Sequence, residues 1–249
     1  MSGQALRPVV RDSLSGRVYA ELREALMHGR LKPGQRLKLH ELAAAMDVSE
    51  TPVREAVFQL IREGGLEMRT GSAIRVVQLS LPNYLELRRI RLLLEGLAAE
   101  EAAARADSTL LDALAAEHVI LVRAEDTADW TEAIAANFRF HHLIWRTAAM
   151  PNLLGILEGI WLRNGPLLNF LYPNARPRYP GRHRHEDVIT ALRRADPEAA
   201  REAVRADLVE GGTALLALLE EIEAGRVVPL DPDTTDDAPR PRRKRRPQR

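Results

Sequence analysis

The sequence predicts a mainly α-helical protein in two units, and three observations carry that expectation. Ala, Leu, Arg and Glu dominate the 249 residues and aromatics make up 4%, a composition rich in strong helix formers. Apolar residues recur at Leu39, Leu42, Ala43 and Met46, then at Val53, Ala56, Val57, Leu60 and Ile61, the i, i+3, i+4, i+7 spacing of helices with one buried face. Alternation runs over residues 66–77, around Thr70-Gly71-Ser72, as the two strands of a Gly-tipped hairpin require.

Between the first two helices, Asp47-Val48-Ser49 has room only for a sharp turn. Pro52 suits the first turn of the second helix, with Ser49 or Thr51 as N-cap. Gly64-Gly65 stops that helix, and the hairpin follows. Over residues 1–79 this makes a winged helix-turn-helix, a unit that usually sets its second helix in the DNA major groove. Two helices and a hairpin also occur in folds that never touch nucleic acid, so the pattern alone leaves the partner open. Arg36, Lys38, Arg69 and Arg75 can contact phosphate or simply stay solvated.

Leu79-Ser80-Leu81-Pro82 marks the boundary to a second unit, residues 80–226. Six helices are expected there: 83–106, 109–124, 128–149, 152–172 with a break near Gly165-Pro166, 182–195, and a last one running to 224. Asp196-Pro197 supplies the cap and first-turn pair that opens the last. With no strand pattern and no repeat, the expectation is an all-helical bundle. Residues 227–249 combine an acidic, Pro-containing stretch with a basic end, PRPRRKRRPQR. Lacking apolar periodicity, this tail should be disordered. It serves either as a solvated end or as a sequence-independent phosphate contact.

The absence of cysteine excludes disulfides, thiolate metal sites and cysteine catalysis, and fits a reducing cytoplasm. No apolar run reaches membrane-spanning length, and the start lacks a signal peptide's apolar stretch. A cytoplasmic protein with no membrane partner is therefore expected. The formal net charge of +1 hides an uneven distribution, with a modest basic excess in the first unit and a strongly basic end.

The first unit resembles the amino-terminal domain of the GntR family of bacterial transcription regulators. The matching residues are Gly29-Arg30-Leu31, Pro33-Gly34-Gln35-Arg36-Leu37, Glu41-Leu42-Ala43, Val48-Ser49, Thr51-Pro52-Val53-Arg54-Glu55-Ala56, Leu60 and Gly64-Gly65-Leu66. The resemblance implies a homodimer on a palindromic double-stranded DNA operator. It places Arg54 at DNA, with Ser49, Thr51 and Gly71 as phosphate or groove neighbours; Arg36 and, at the wing tip, Thr70 are further candidate contacts. Two positions depart from the family: His40 and Glu50 stand where arginines are common. Glu50 would repel phosphate or accept a hydrogen bond from cytosine N4.

The second unit resembles the FCD effector domain of the FadR-type branch, and by helix count its six-helix VanR-like subgroup. Carrying residues are Leu87-Arg88-Arg89-Ile90-Arg91 with Glu95, Asn137-Phe138-Arg139-Phe140-His141, Asn152-Leu153-Leu154, and His185 through Ala191-Leu192 to Asp196-Pro197-Glu198-Ala199-Ala200. The resemblance implies a divalent metal and a small carboxylate effector, with no organic cofactor. It puts the metal ligands at Asn137, His141, His185 and Asp207, where Asn replaces an acid and Asp replaces a histidine. Imidazole and oxygen ligands suit Zn, Ni or Mn; a metal-free pocket with the same groups is the alternative. Arg91 can meet the effector carboxylate bidentately or pair with Glu95 four residues on. Arg163 is a further effector candidate. His142 and His183 are read as surface groups or as neighbours of the ligands. The function expected is a regulator, presumed to repress, and not an enzyme. Rival readings are a metal-dependent hydrolytic enzyme on the bundle and a dimeric scaffold with a degenerate DNA reader.

Overall fold

The computed structural model describes residues 14–69, 73–173, 175–177 and 179–228. The wing-tip residues Thr70 and Gly71 and the basic tail lie outside these. The first unit runs α1 (Leu14–Met27), β1 (Arg36–Leu37), α2 (Leu39–Ala45), α3 (Glu50–Arg62), β2 (Leu66–Arg69) and β3 (Ala73–Val76). Helix α3 buries Val53, Ala56, Val57 and Leu60 against α1, whose Val18, Leu22 and Leu26 recur every fourth residue. Ser49 holds the N-cap position of α3 in extended conformation, but its hydroxyl makes no capping bond.

Two elements of this unit go beyond the sequence reading, which began its helices at Leu39. Helix α1 completes the core under α2 and α3. Strand β1 adds a third strand, pairing Arg36 with Arg75 and Leu37 with Ile74, so the sheet order is β1-β3-β2.

The bundle comprises α4 (Leu81–Ala103), α5 (Ser108–Asp126), α6 (Trp130–Thr147), α7 (Pro151–Asn164), a 3-10 turn (Gly165–Phe170), α8 (Arg184–Arg193), α9 (Pro197–Gly211) and α10 (Thr213–Glu223). The starts are fixed by side chains. Ser80, Asp107, Asp129 and Asp196 each accept a hydrogen bond from the backbone N–H three residues on. The break near Gly165-Pro166 falls where the sequence put it. The last helix instead divides at Gly211-Gly212, so seven α-helices rather than six are found among the described residues of the bundle. On the backbone as it stands, a Cβ at Gly212 would lie 2.8 Å from Leu208 O, so the junction takes glycine there.

The two units share one core. Trp161 Nε1 donates to Met27 O at 2.8 Å, Asn169 Nδ2 donates to Gly29 O at 3.0 Å, and Arg23 reaches Glu158 at 2.9 Å. Gly29, at φ +66°, permits the closest approach: a Cβ there would stand 2.7 Å from Ile134 Cγ2. The first unit is thus seated directly on α6, α7 and the 3-10 turn.

Candidate functional site

Four helices aim charged side chains into one place. Asp207 comes from α9, His141 from α6, His185 from the first turn of α8 and Glu95 from α4, and all four are buried. Asp207 Oδ2 lies 3.3 Å from His141 Nε2 and 3.9 Å from His185 Nε2. The Tyr179 hydroxyl donates to the other oxygen, Oδ1, at 3.1 Å. Behind the cluster, Glu95 Oε2 approaches His141 Nδ1 at 3.1 Å, though in a geometry too bent for a hydrogen bond. Glu95 Oε1 accepts from Arg91 Nε at 2.6 Å.

Burial and charge work against each other here. Burial alone would lower His141, but Asp207 and Glu95 raise it to about 9. Burial raises the Asp207 carboxyl, yet the neighbouring imidazoles hold it well below the usual carboxylate range. Burial also raises Glu95, and the Arg91 guanidinium and His141 together bring it below the usual carboxylate value. Asp207 raises His185 as well, but burial outweighs it and drives His185 far down, toward the neutral imidazole.

His185 is fully buried, and neither ring nitrogen has a hydrogen-bond partner. A buried polar atom left unpaired costs roughly 1–3 kcal/mol. Neutral imidazole is also the form that ligates metal. Ligands about 2.1 Å from a tetrahedral ion stand about 3.4 Å apart, close to the 3.3 and 3.9 Å seen here. Glu95 stands 3.1 Å from His141 Nδ1, on the side from which a carboxylate orients a ligating histidine. The donor set therefore fits a divalent ion.

Asn137 lies one turn before His141 and lines the same cavity. Arg91 also lines it, but its Nε is committed to Glu95 and its guanidinium sits 4.9 Å above the Trp161 ring. Arg163 is not in this cavity. Helix α7 turns Trp161 toward the cluster and Arg163 toward the first unit, where its Cδ faces Gly64. His142 also points toward the first unit, pairing with Glu158 at 2.9 Å and stacking on Phe138. His183 lines the cavity and caps α8 by accepting the His185 N–H at 3.1 Å.

Several residues in or beside the cavity were not singled out as site residues from sequence: Tyr84, Arg88, Tyr179 and His118. His118, on α5, brings its ring to 4.9 Å from His183 and 5.6 Å from His185. Only Arg88 carried a hint, as part of a recognisable motif. Tyr179 sits in an irregular connector where spacing predicts nothing.

The second face of interest is the outer side of α3. Glu50, Thr51, Arg54 and Phe58 are exposed there, and Ser49 precedes them. Arg54 and Glu50 approach at 3.6 Å across one helical turn. His40 is exposed on α2, 4.0 Å from Glu41; Arg36 is exposed on β1. Lys38 and Arg69 contact Glu41 and Glu67, and Arg75 donates to Gly34 O.

Comparison with known proteins joins these two faces. Residues 14–76 match the profile of the bacterial regulatory proteins of the gntR family, and residues 86–210 match that of the FCD domain. The HTH-type transcriptional regulator McbR of Escherichia coli (strain K12) is 31% identical over 208 residues, covering 82% of this chain and 93% of that protein. The HTH-type transcriptional repressor NanR of Citrobacter rodentium (strain ICC168) is 25% identical over 231 residues, covering 81% and 85%. The solved structure of E. coli McbR/YncC superposes with a TM-score of 0.75 at 29% identity, covering 85% of this chain and 99% of the other.

Proposed function

Because the chain belongs to the GntR family of bacterial regulatory proteins, with an FCD domain behind its winged helix, we propose that it is a metal- and carboxylate-responsive repressor. It is a DNA-binding transcription regulator and not an enzyme. In this reading a homodimer in the cytoplasm sets two α3 helices on a palindromic operator, with Arg54, Thr51 and Ser49 facing DNA. No helix among the described residues is long and apolar enough to cross a membrane.

His141, His185 and Asp207, with Asn137 beside them, would hold the metal. Bound there, a divalent ion would supply an electrophilic centre that an effector carboxylate can complete. The observation that carries the reading is the fully buried His185, whose imidazole nitrogens have no partner while Nε2 faces Asp207. Tyr179 and Glu95 orient Asp207 and His141 from behind. An effector that prefers one arrangement of the bundle would shift the DNA-binding equilibrium by that preference. NanR, a relative, is named a repressor, and repression relieved by the effector is the sign proposed here.

The test is elemental analysis of the purified, untagged chain and of His141→Ala, each also assayed on its own upstream DNA. Near-stoichiometric metal that is lost in the variant is expected. Absence of metal from both proteins, with DNA binding intact, would overturn the metal reading. A second reading, a scaffold with a degenerate reader, draws on the Glu50–Arg54 contact, which occupies a reading side chain. Binding without a defined footprint would select it.

A further inference from the structure

At the junction of α9 and α10, one helical turn past Asp207, the cavity has a second polar end. A Cβ at Gly211 would meet the Tyr179 hydroxyl at 2.7 Å. One at Gly212 would meet the Tyr84 hydroxyl at 3.1 Å and Arg88 Nε at 3.6 Å. The glycine pair thus lets two phenols and a guanidinium pack close against the helix junction, and all of them line the cavity. Arg88 Nε is buried and has no hydrogen-bond partner. One NH2 of the same guanidinium caps Val209 O at 3.1 Å, and no carboxylate among the described residues pairs with it. Arg91, by contrast, is neutralised by Glu95 at 2.6 Å. Arg88 is therefore the cavity-lining arginine whose charge is unmatched.

We infer that the effector is a two-headed acid, with one head at the His141, His185 and Asp207 cluster and the second on Arg88 Nε and the Tyr84 hydroxyl. This rests on the reading of that cluster as the metal and carboxylate site. The four residues from Asp207 to Gly211 span about 6 Å of helix, which suits the separation of two carboxylates in a short diacid. The cavity, about 60 Å³, leaves no room for a long acyl chain. Tyr179, whose hydroxyl lies between the two ends, would border the middle of such a ligand.

The test compares matched acids on the zinc-loaded full chain by calorimetric titration. L-malate is set against L-lactate, and 2-hydroxyglutarate against 2-hydroxybutyrate; members of each pair share a hydroxy-acid head. A two-headed acid is expected to bind at least tenfold tighter than its partner, the worth of one or two charge-assisted hydrogen bonds. Arg88→Met and Tyr84→Phe should each erase most of that preference while zinc content and single-headed binding stay unchanged. Tyr84→Phe keeps the buried ring, so it reports even if Arg88→Met unfolds by losing its Val209 cap. Equal affinities within both pairs, no binding of either diacid, or a preference that survives both variants would overturn the inference. Zinc lost in His141→Ala would leave the metal reading standing in that event, whereas zinc absent from the wild type would remove both.

Discussion

At Glu95 a buried carboxylate faces Arg91 at 2.6 Å on one side and His141 at 3.1 Å on the other. Its charge offsets the buried Arg91 guanidinium, so removing it should cost more than any surface pair. Glu95→Gln keeps the shape and removes the charge, and is expected to destabilise by about 3–5 kcal/mol, as for other broken buried pairs. The double variant Glu95→Leu with Arg91→Met should recover most of that, because a neutral replacement leaves no orphaned charge. Urea denaturation of the three proteins decides it; a single variant as stable as wild type would show that the pair is solvated in solution. The Arg91–Glu95 pair was legible from spacing alone, since i and i+4 meet on any helix. His118, Tyr179 and the inward course of Arg88 were not. They depend on which neighbours α5, the connector and α9 acquire in space, and periodicity holds no information about that.

Helices, rather than residues, show where local preference yields to packing. Helix α1 was readable in principle, with Val18, Leu22 and Leu26 in register, but its significance lies in contacts with α3 and α7 that no local pattern announces. The break at Gly211-Gly212 carried a signal, since a Gly-Gly pair marks a turn, but the apolar period on either side of it was read as one helix. Gly212→Ala separates the two influences. Helix propensity favours Ala by up to about 1 kcal/mol. Overpacking against Leu208 O at 2.8 Å and the Tyr84 hydroxyl opposes it by about 1–3 kcal/mol. Net destabilisation is expected, lowering the melting temperature by a few degrees in a chain of this size. A higher melting temperature would mean the break is only a matter of propensity.

Across the whole molecule, the same helices hold both the cavity and the seat of the DNA-reading unit. Helix α6 turns His141 and Asn137 to the cavity and Phe138 and His142 to α1. Trp161 of α7 does both at once, lying under Arg91 while its Nε1 donates to Met27 O at the end of α1. Asn169 adds a parallel bond to Gly29 O. A change in how α6 and α7 stand when the cavity fills must therefore be felt at these two carbonyls, which precede the turn into β1. Coupling between sites typically amounts to 1–3 kcal/mol, and one buried hydrogen bond contributes about 1 kcal/mol. Trp161→Phe keeps an aromatic ring under Arg91 and deletes the donor along with part of the ring; Asn169→Ala deletes the other donor. Each is expected to shrink, about fivefold, the ratio of operator affinities measured with zinc present and after chelation, while zinc content holds. Fluorescence anisotropy on the operator in both conditions gives that ratio directly. If both variants preserve it, the signal bypasses this seam.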